Sequence, residues 1–170
     1  NREADRITVD DAKKQHVLEG NVELVRGTLV IRTDKLIVTQ DANGFQKGVA
    51  YGGPGGLARF RQKREGRDDY VEGEAERIEH DAKTEKTDLF TRAHVKSGLD
   101  EVRGQFISYD ARTENYLVTS GPNGTVARDA GKQERVRAVI APKKDGKPAD
   151  AGATGAPLTT APDSTTPRAD

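Results

Sequence analysis

The sequence predicts an all-β fold built from two related halves and followed by a tail without structure of its own. Three observations carry that prediction. Apolar residues recur with a period of two rather than 3.6, turn residues punctuate the alternation at short intervals, and one segment pattern returns 71 residues after it first appears.

The alternation is clearest from Leu18 to Leu24. There Leu18, Gly20, Val22 and Leu24 interleave with Glu19, Asn21 and Glu23, as in a strand with one buried face. It recurs at Ile7 and Val9, Val49 and Tyr51, Ala58 and Phe60, and Ile78 and His80. It closes with Val136, Ala138 and Ile140 set against Arg135 and Arg137. Turns are expected at Asp41 to Gly44, Gly52 to Gly56, Glu65 to Asp69, Gly98, and Gly121 to Gly124. No helix of ten or more residues is expected in the folded part.

The repeat organises these strands. Ala4-Asp5-Arg6-Ile7 returns as Ala75-Glu76-Arg77-Ile78, and Leu18, Leu24, Ile31-Arg32, Leu36 and Val38 return as Leu89, Val95, Val102-Arg103, Ile107 and Tyr109. Asp11-Ala12-Lys13 matches Asp81-Ala82-Lys83 one residue out of step, so the second copy is expected to have lost a residue. Both copies also change phase. Leu29 and Ile31 are odd whereas Leu36 and Val38 are even, which predicts a kink or bulge around Thr33 and Asp34; Val102 and Gly104 against Ile107 and Tyr109 switch at the equivalent place.

Two copies of a unit with one apolar face predict two facing sheets or a folded-over roll. With four Phe, four Tyr and no Trp, the inner faces are mainly aliphatic. That lining fits either a modest packed core or a groove for a ligand with alkyl chains. An open roll would also leave unpaired backbone along its first strand, near Ile7 and Val9, and its last, near Val136, Ala138 and Ile140. Because the two edges differ, pairing through them would run head to tail and would not close.

From Pro142 onward the chain holds five of its seven prolines, no aromatic residue and one large aliphatic, Leu158. Such a stretch cannot bury enough apolar surface to offset its ordering entropy. The expected organisation is therefore a β domain over 1–141 and a disordered Pro/Ala/Thr-rich tail over 142–170. Formal charges cancel, 28 against 28, which argues against a nucleic-acid binder. No transmembrane segment is visible, and the absence of methionine even at position 1 is expected of a processed chain.

Chemistry is sparse. Cysteine is absent, which excludes disulfides and thiolate sites. The serines, Ser97, Ser108, Ser120 and Ser164, lie in no nucleophile elbow. His16, His80 and His94 lack the close spacing of metal ligands, so neither metal nor cofactor is expected. Acidic pairs such as Asp10-Asp11 and Asp68-Asp69 read as wet strand faces rather than glycosidase carboxylates, and no enzymatic activity is expected. The Gly52-Gly53-Pro54-Gly55-Gly56 cluster lacks the spacing of a phosphate loop. Arg59, Arg61, Lys63, Arg64 and Arg67 around Phe60 could meet lipid or nucleic-acid phosphates, or form a solvated hairpin with Phe60 inward.

From Glu3 to Ile140 the sequence resembles the LptA or OstA-like family of periplasmic lipopolysaccharide-transport bridge proteins. The resemblance rests on Glu3-Ala4-Asp5, Gly20-Asn21-Val22, Gly27-Thr28, Asp34-Lys35, Val71-Glu72-Gly73-Glu74-Ala75, Ile78, Gly104, Ile107, Tyr109 and Arg135-Val136, taken in order and spacing. It implies a twisted, open β-jellyroll of V-shaped cross-section whose inner faces hold acyl chains. The implied lining is Val22, Leu24, Ile31, Leu36, Val38, Phe60, Ile78, Leu89, Val95, Ile107 and Tyr109, with His80 where the family places an inward aromatic. It further implies a periplasmic location after removal of an export signal. The implied partners are lipopolysaccharide, LptC-like and LptD-like domains, and further copies joined head to tail. A β-roll that polymerises through its edges and carries no lipid is the competing reading.

Overall fold

The computed structural model describes residues 1–44, 46–121, 124–126 and 136–139. Ile140 and the expected tail lie outside the described residues. Among the described residues twelve strands form one antiparallel sheet: β1 Arg2–Glu3, β2 Arg6–Asp10, β3 Gln15–Arg26, β4 Leu29–Gln40, β5 Gln46–Tyr51, β6 Ala58–Lys63, β7 Tyr70–Ala75, β8 Arg77–Asp81, β9 Lys86–Ser97, β10 Asp100–Asp110, β11 Asn115–Thr119 and β12 Arg137–Val139.

The pairing splits the sheet into two leaves. Strands β3, β4, β9 and β10 are 11 or 12 residues long and run through both, whereas the others belong to one leaf. Leaf I has the order β2-β3-β4-β5-β8-β9-β10-β11, and leaf II the order β1-β3-β4-β6-β7-β9-β10-β12. On β4, for example, Lys35 to Gln40 pair with β5 while Val30 to Arg32 pair with β6.

The phase change of the sequence is the fold line between the leaves. The extra residue, however, sits on the partner strand rather than at Thr33 and Asp34. Glu19 pairs with Lys35 and Val22 with Thr33, so Gly20 and Asn21 together oppose Asp34 alone. Both carry positive φ, +82° and +48°. Gly20 is thus a bulge residue and not one of the inward alternating set. Its repeat mates are Thr91 and Arg92, at φ +72° and +53°, where the β9–β10 register shifts in the same way.

The predicted deletion is also corrected. Lys14 and Glu85 are the left-handed residues of the β2–β3 and β8–β9 turns, 71 apart, and Asp10 and Asp81 accept a turn amide in each. Asp10, not Asp11, is the mate of Asp81, so the spacing holds throughout. A third such turn joins β10 to β11, with the Asp110 carboxylate accepting the Arg112 amide.

The facing of β5 differs from the alternation read at Val49 and Tyr51. Ala50 is buried, Val49 is half-buried and Tyr51 is exposed, because Ala50 sits between Leu36 on β4 and Ile78 on β8, both inward. The Gly52 to Gly56 segment does connect two strands, and it carries the chain from leaf I to leaf II.

Candidate functional site

The inner faces of the two leaves meet in one apolar cluster. Val22, Ile31, Leu36, Val38, Phe60, Ile78, Leu89, Val95, Ile107 and Tyr109 all lie in it, and Leu24 is half-buried against it. Leu18, Leu29, Ala58 and Val102, which the alternation and the repeat also mark, complete the cluster, whereas sequence reading did not place Ala50, Val71, Ala75, Ala93 and Val118 inward. Most of these follow from continuing the period of two along each strand. The interior is packed, with leaf I and leaf II side chains filling the space between them. Each large aliphatic buried there contributes about 1.5–3 kcal/mol.

Small residues let that packing close. A Cβ at Gly73 on β7 would fall 2.4 Å from Phe60 Cε1 and 3.0 Å from Leu89 Cδ2, so the Phe60 ring occupies the space above it. The predicted site residue His80 also points inward. Its Nδ1 is 2.9 Å from Thr87 Oγ1, and burial, helped by the nearby Arg26 charge, lowers its pKa to about 4. The ring is therefore a neutral imidazole at physiological pH, compatible with an apolar lining.

The outer face of leaf II carries the charge. One row crosses every strand at the same level: Glu3, Glu23, Arg32, Arg59, Glu74, His94, Arg103 and Arg137. Arg59 pairs with Glu74 at 3.2 Å and Arg61 with Glu72 at 3.4 Å, while Phe60 between them turns inward. With Arg64, which pairs with Asp69, three of the five cations of the basic cluster are engaged by carboxylates of the same protein. Arg59 and Arg61 fit the solvated-hairpin reading, with Phe60 inward, whereas Arg64 is largely buried.

The predicted edges are present but differently built. Ile7 and Val9 lie on β2, which among the described residues pairs only with β3, and they are 49% and 55% exposed. At the other end Ala138 lies on β12, a three-residue strand paired to β10, with Val136 just before it. The opposite edge in leaf I is β11, which the sequence reading did not single out. Among the described residues no helix is long and apolar enough to cross a membrane, and no cluster of three or more potential metal ligands occurs.

An antiparallel sheet folded over an aliphatic interior, with an edge strand at each end among the described residues, defines a β-jellyroll. The chain belongs to the family of LptA and the LptD N-terminal domain, lipopolysaccharide transport proteins, whose pattern it matches over residues 3–115. That family consists of transport proteins, not enzymes. Among solved structures it is similar to LptH, the LptA homologous periplasmic component of the conserved lipopolysaccharide transport device from Pseudomonas aeruginosa. The two share 21% identity with a TM-score of 0.72, over 84% of this chain and 94% of that one. No curated protein sequence matches it.

Proposed function

We propose that this protein holds lipopolysaccharide acyl chains between its two leaves in the periplasm, and that copies join head to tail so that the apolar interior continues from one molecule to the next. One observation carries the reading. The apolar inner face runs unbroken from β2 to β11, and at its open end Ile7 and Val9 are exposed where their repeat mates Ile78 and His80 are buried, 1% and 8%.

The internal junction supplies the register. In the middle of the molecule β5 pairs with β8, and β6 with β7, joining the first repeat to the second. Strand β11 stands to β10 as β5 stands to β4, since Val118 faces Ile107 as Ala50 faces Leu36. Strand β2 is the repeat mate of β8. Pairing β11 of one copy with β2 of the next would set Val118 against Ile7, as Ala50 is set against Ile78. In leaf II the same join sets Arg137 against Glu3, the counterparts of Arg59 and Glu74. LptC-like and LptD-like jellyroll domains offer comparable edges and are the natural neighbours at the ends of such a row.

Lipid uptake follows from transfer energetics. Each methylene removed from water contributes about 0.8 kcal/mol, so several acyl chains between the leaves gain enough to displace part of the packing seen there. Photocrosslinking to purified lipopolysaccharide from an aryl-ketone residue at Leu36 or Phe60, with outward Glu23 as control, tests the reading. Adducts at the first two alone are expected. Folded protein giving none would favour instead a β-roll that polymerises without lipid.

A further inference from the structure

We propose that Arg64 is the centre of a polar clasp that holds the free ends of the two leaves together and sets how readily the interior opens to an amphiphile. The inference rests on the lipid-binding reading above and names the element that controls access to that site.

The fold line lies at the bulges of β3 and β9, so the leaves can part only at their far ends. Arg64 follows β6 at the far end of leaf II, in the hairpin to β7, while Glu114 lies in the β10–β11 turn at the far end of leaf I. Arg64 Nη2 donates to Glu114 Oε1 at 3.1 Å, 50 residues away in sequence, and Arg64 Nη1 donates to Asp69 Oδ2 at 2.9 Å within its own hairpin. Across the same gap Ser97, at the end of β9 in leaf II, lies close enough to the Tyr116 hydroxyl on β11 of leaf I to act on it. Burial pushes the Tyr116 hydroxyl up to about 12, so it stays protonated and able to hydrogen-bond.

The clasp is suited to opening. Its arginine side chain is 15% exposed, yet three atoms around it, Arg64 Nε, Asp69 Oδ1 and Gln62 Oε1, are buried without a hydrogen-bond partner. Unsatisfied buried polar atoms are costly, and all three would regain partners in water if the ends moved apart. Glu114 is held at φ +61°, a strained conformation for a residue with a side chain. Beside the clasp an open pocket of about 310 Å³ is lined by Lys63, Arg64, Glu85 and Tyr109, and Tyr109 also belongs to the apolar cluster. An apolar seam would gain by staying shut; this one is closed by charge, beside a pocket that Tyr109 of the apolar cluster also lines.

The test uses the full chain and its freedom from cysteine. Uptake of the apolar dye N-phenylnaphthylamine and photocrosslinking of purified lipopolysaccharide from position Leu36 are compared among wild type, Arg64→Gln, Tyr116→Phe and Arg64→Cys/Glu114→Cys bridged by a short bismaleimide, each shown to be folded by circular dichroism. The clasp predicts uptake several-fold faster in Arg64→Gln, a smaller rise in Tyr116→Phe, and suppression in the bridged protein. Equal uptake in all four would overturn the clasp while leaving the lipid interior standing. No uptake and no adduct in any of them would overturn the lipid reading and the clasp with it.

Discussion

The junction in the middle of the molecule and the edges at its ends are built from the same repeat, yet they have opposite exposure. Ile78 is covered by β5 and is 1% exposed, whereas Ile7, its mate 71 residues earlier, is 49% exposed and, among the described residues, has a strand only on its β3 side. Gly73 at the junction makes room for Phe60; the residue 71 before it is Arg2, at an edge where its guanidinium meets His16 instead. The difference teaches that burial here is set by the neighbouring strand rather than by the residue, and the proposed head-to-tail join would cover Ile7 as β5 covers Ile78.

The largest effect should come from removing a side chain at the junction alone. Ile78→Ala is expected to destabilise by about 4 kcal/mol in chemical denaturation, against less than about 1 kcal/mol for Ile7→Ala in dilute monomer. Gly73→Val should follow with about 3 kcal/mol, because its branched side chain meets Phe60 and Leu89, while Arg2→Val leaves the melting temperature nearly unchanged. If both members of either pair behaved alike, the asymmetry between junction and edge would be wrong.

The next contrast is in pH. His80 is neutral in the fold with a pKa of about 4, below its ordinary value of 6.5, so between those two values the unfolded chain binds the extra proton. Stability is therefore full above about pH 6.5 and is lost as pH falls toward 4, by roughly 3 kcal/mol. His80→Gln should flatten that part of the stability curve; an unchanged curve would place the titration elsewhere. Val9, the mate of His80 at the edge, contributes no such dependence.

The smallest effect separates the two bulges. Gly20 and Asn21 tolerate positive φ, whereas Thr91 and Arg92 do not adopt it readily. Thr91→Gly is expected to stabilise by about 1 kcal/mol, read as a rise of a few degrees in melting temperature. Gly20→Ala should destabilise, since its Cβ would lie 2.5 Å from the Asp5 carboxylate.

Much of this was legible in the sequence because period-two alternation and a constant repeat offset both report directly on strand facing. Leu36, Phe60, Ile78 and Ile107 could be placed inward from spacing alone. The bulge was assigned to the wrong strand because Gly20 has no side chain to break the alternation it interrupts. Asp11 drew the repeat out of step by local identity, although Asp10 makes the turn. Val49 and Tyr51 looked inward because Ala50, the smaller residue between them, is the one that fits between Leu36 and Ile78. The clasp left no sequence signal: Arg64 is one of five neighbouring cations, and its partner Glu114 is far along the chain.

The claim that the free edges repeat the internal junction is tested most directly by intermolecular disulfide formation. Protein carrying Leu117→Cys is mixed with protein carrying Thr8→Cys, residues that the junction register places opposite each other, as Val49 is opposite Glu79. A disulfide-linked heterodimer should form rapidly with this pair and much more slowly when Asn115→Cys, two residues out of register, replaces Leu117→Cys. Equal rates for both pairs, or no heterodimer at concentrations where the protein self-associates, would contradict it.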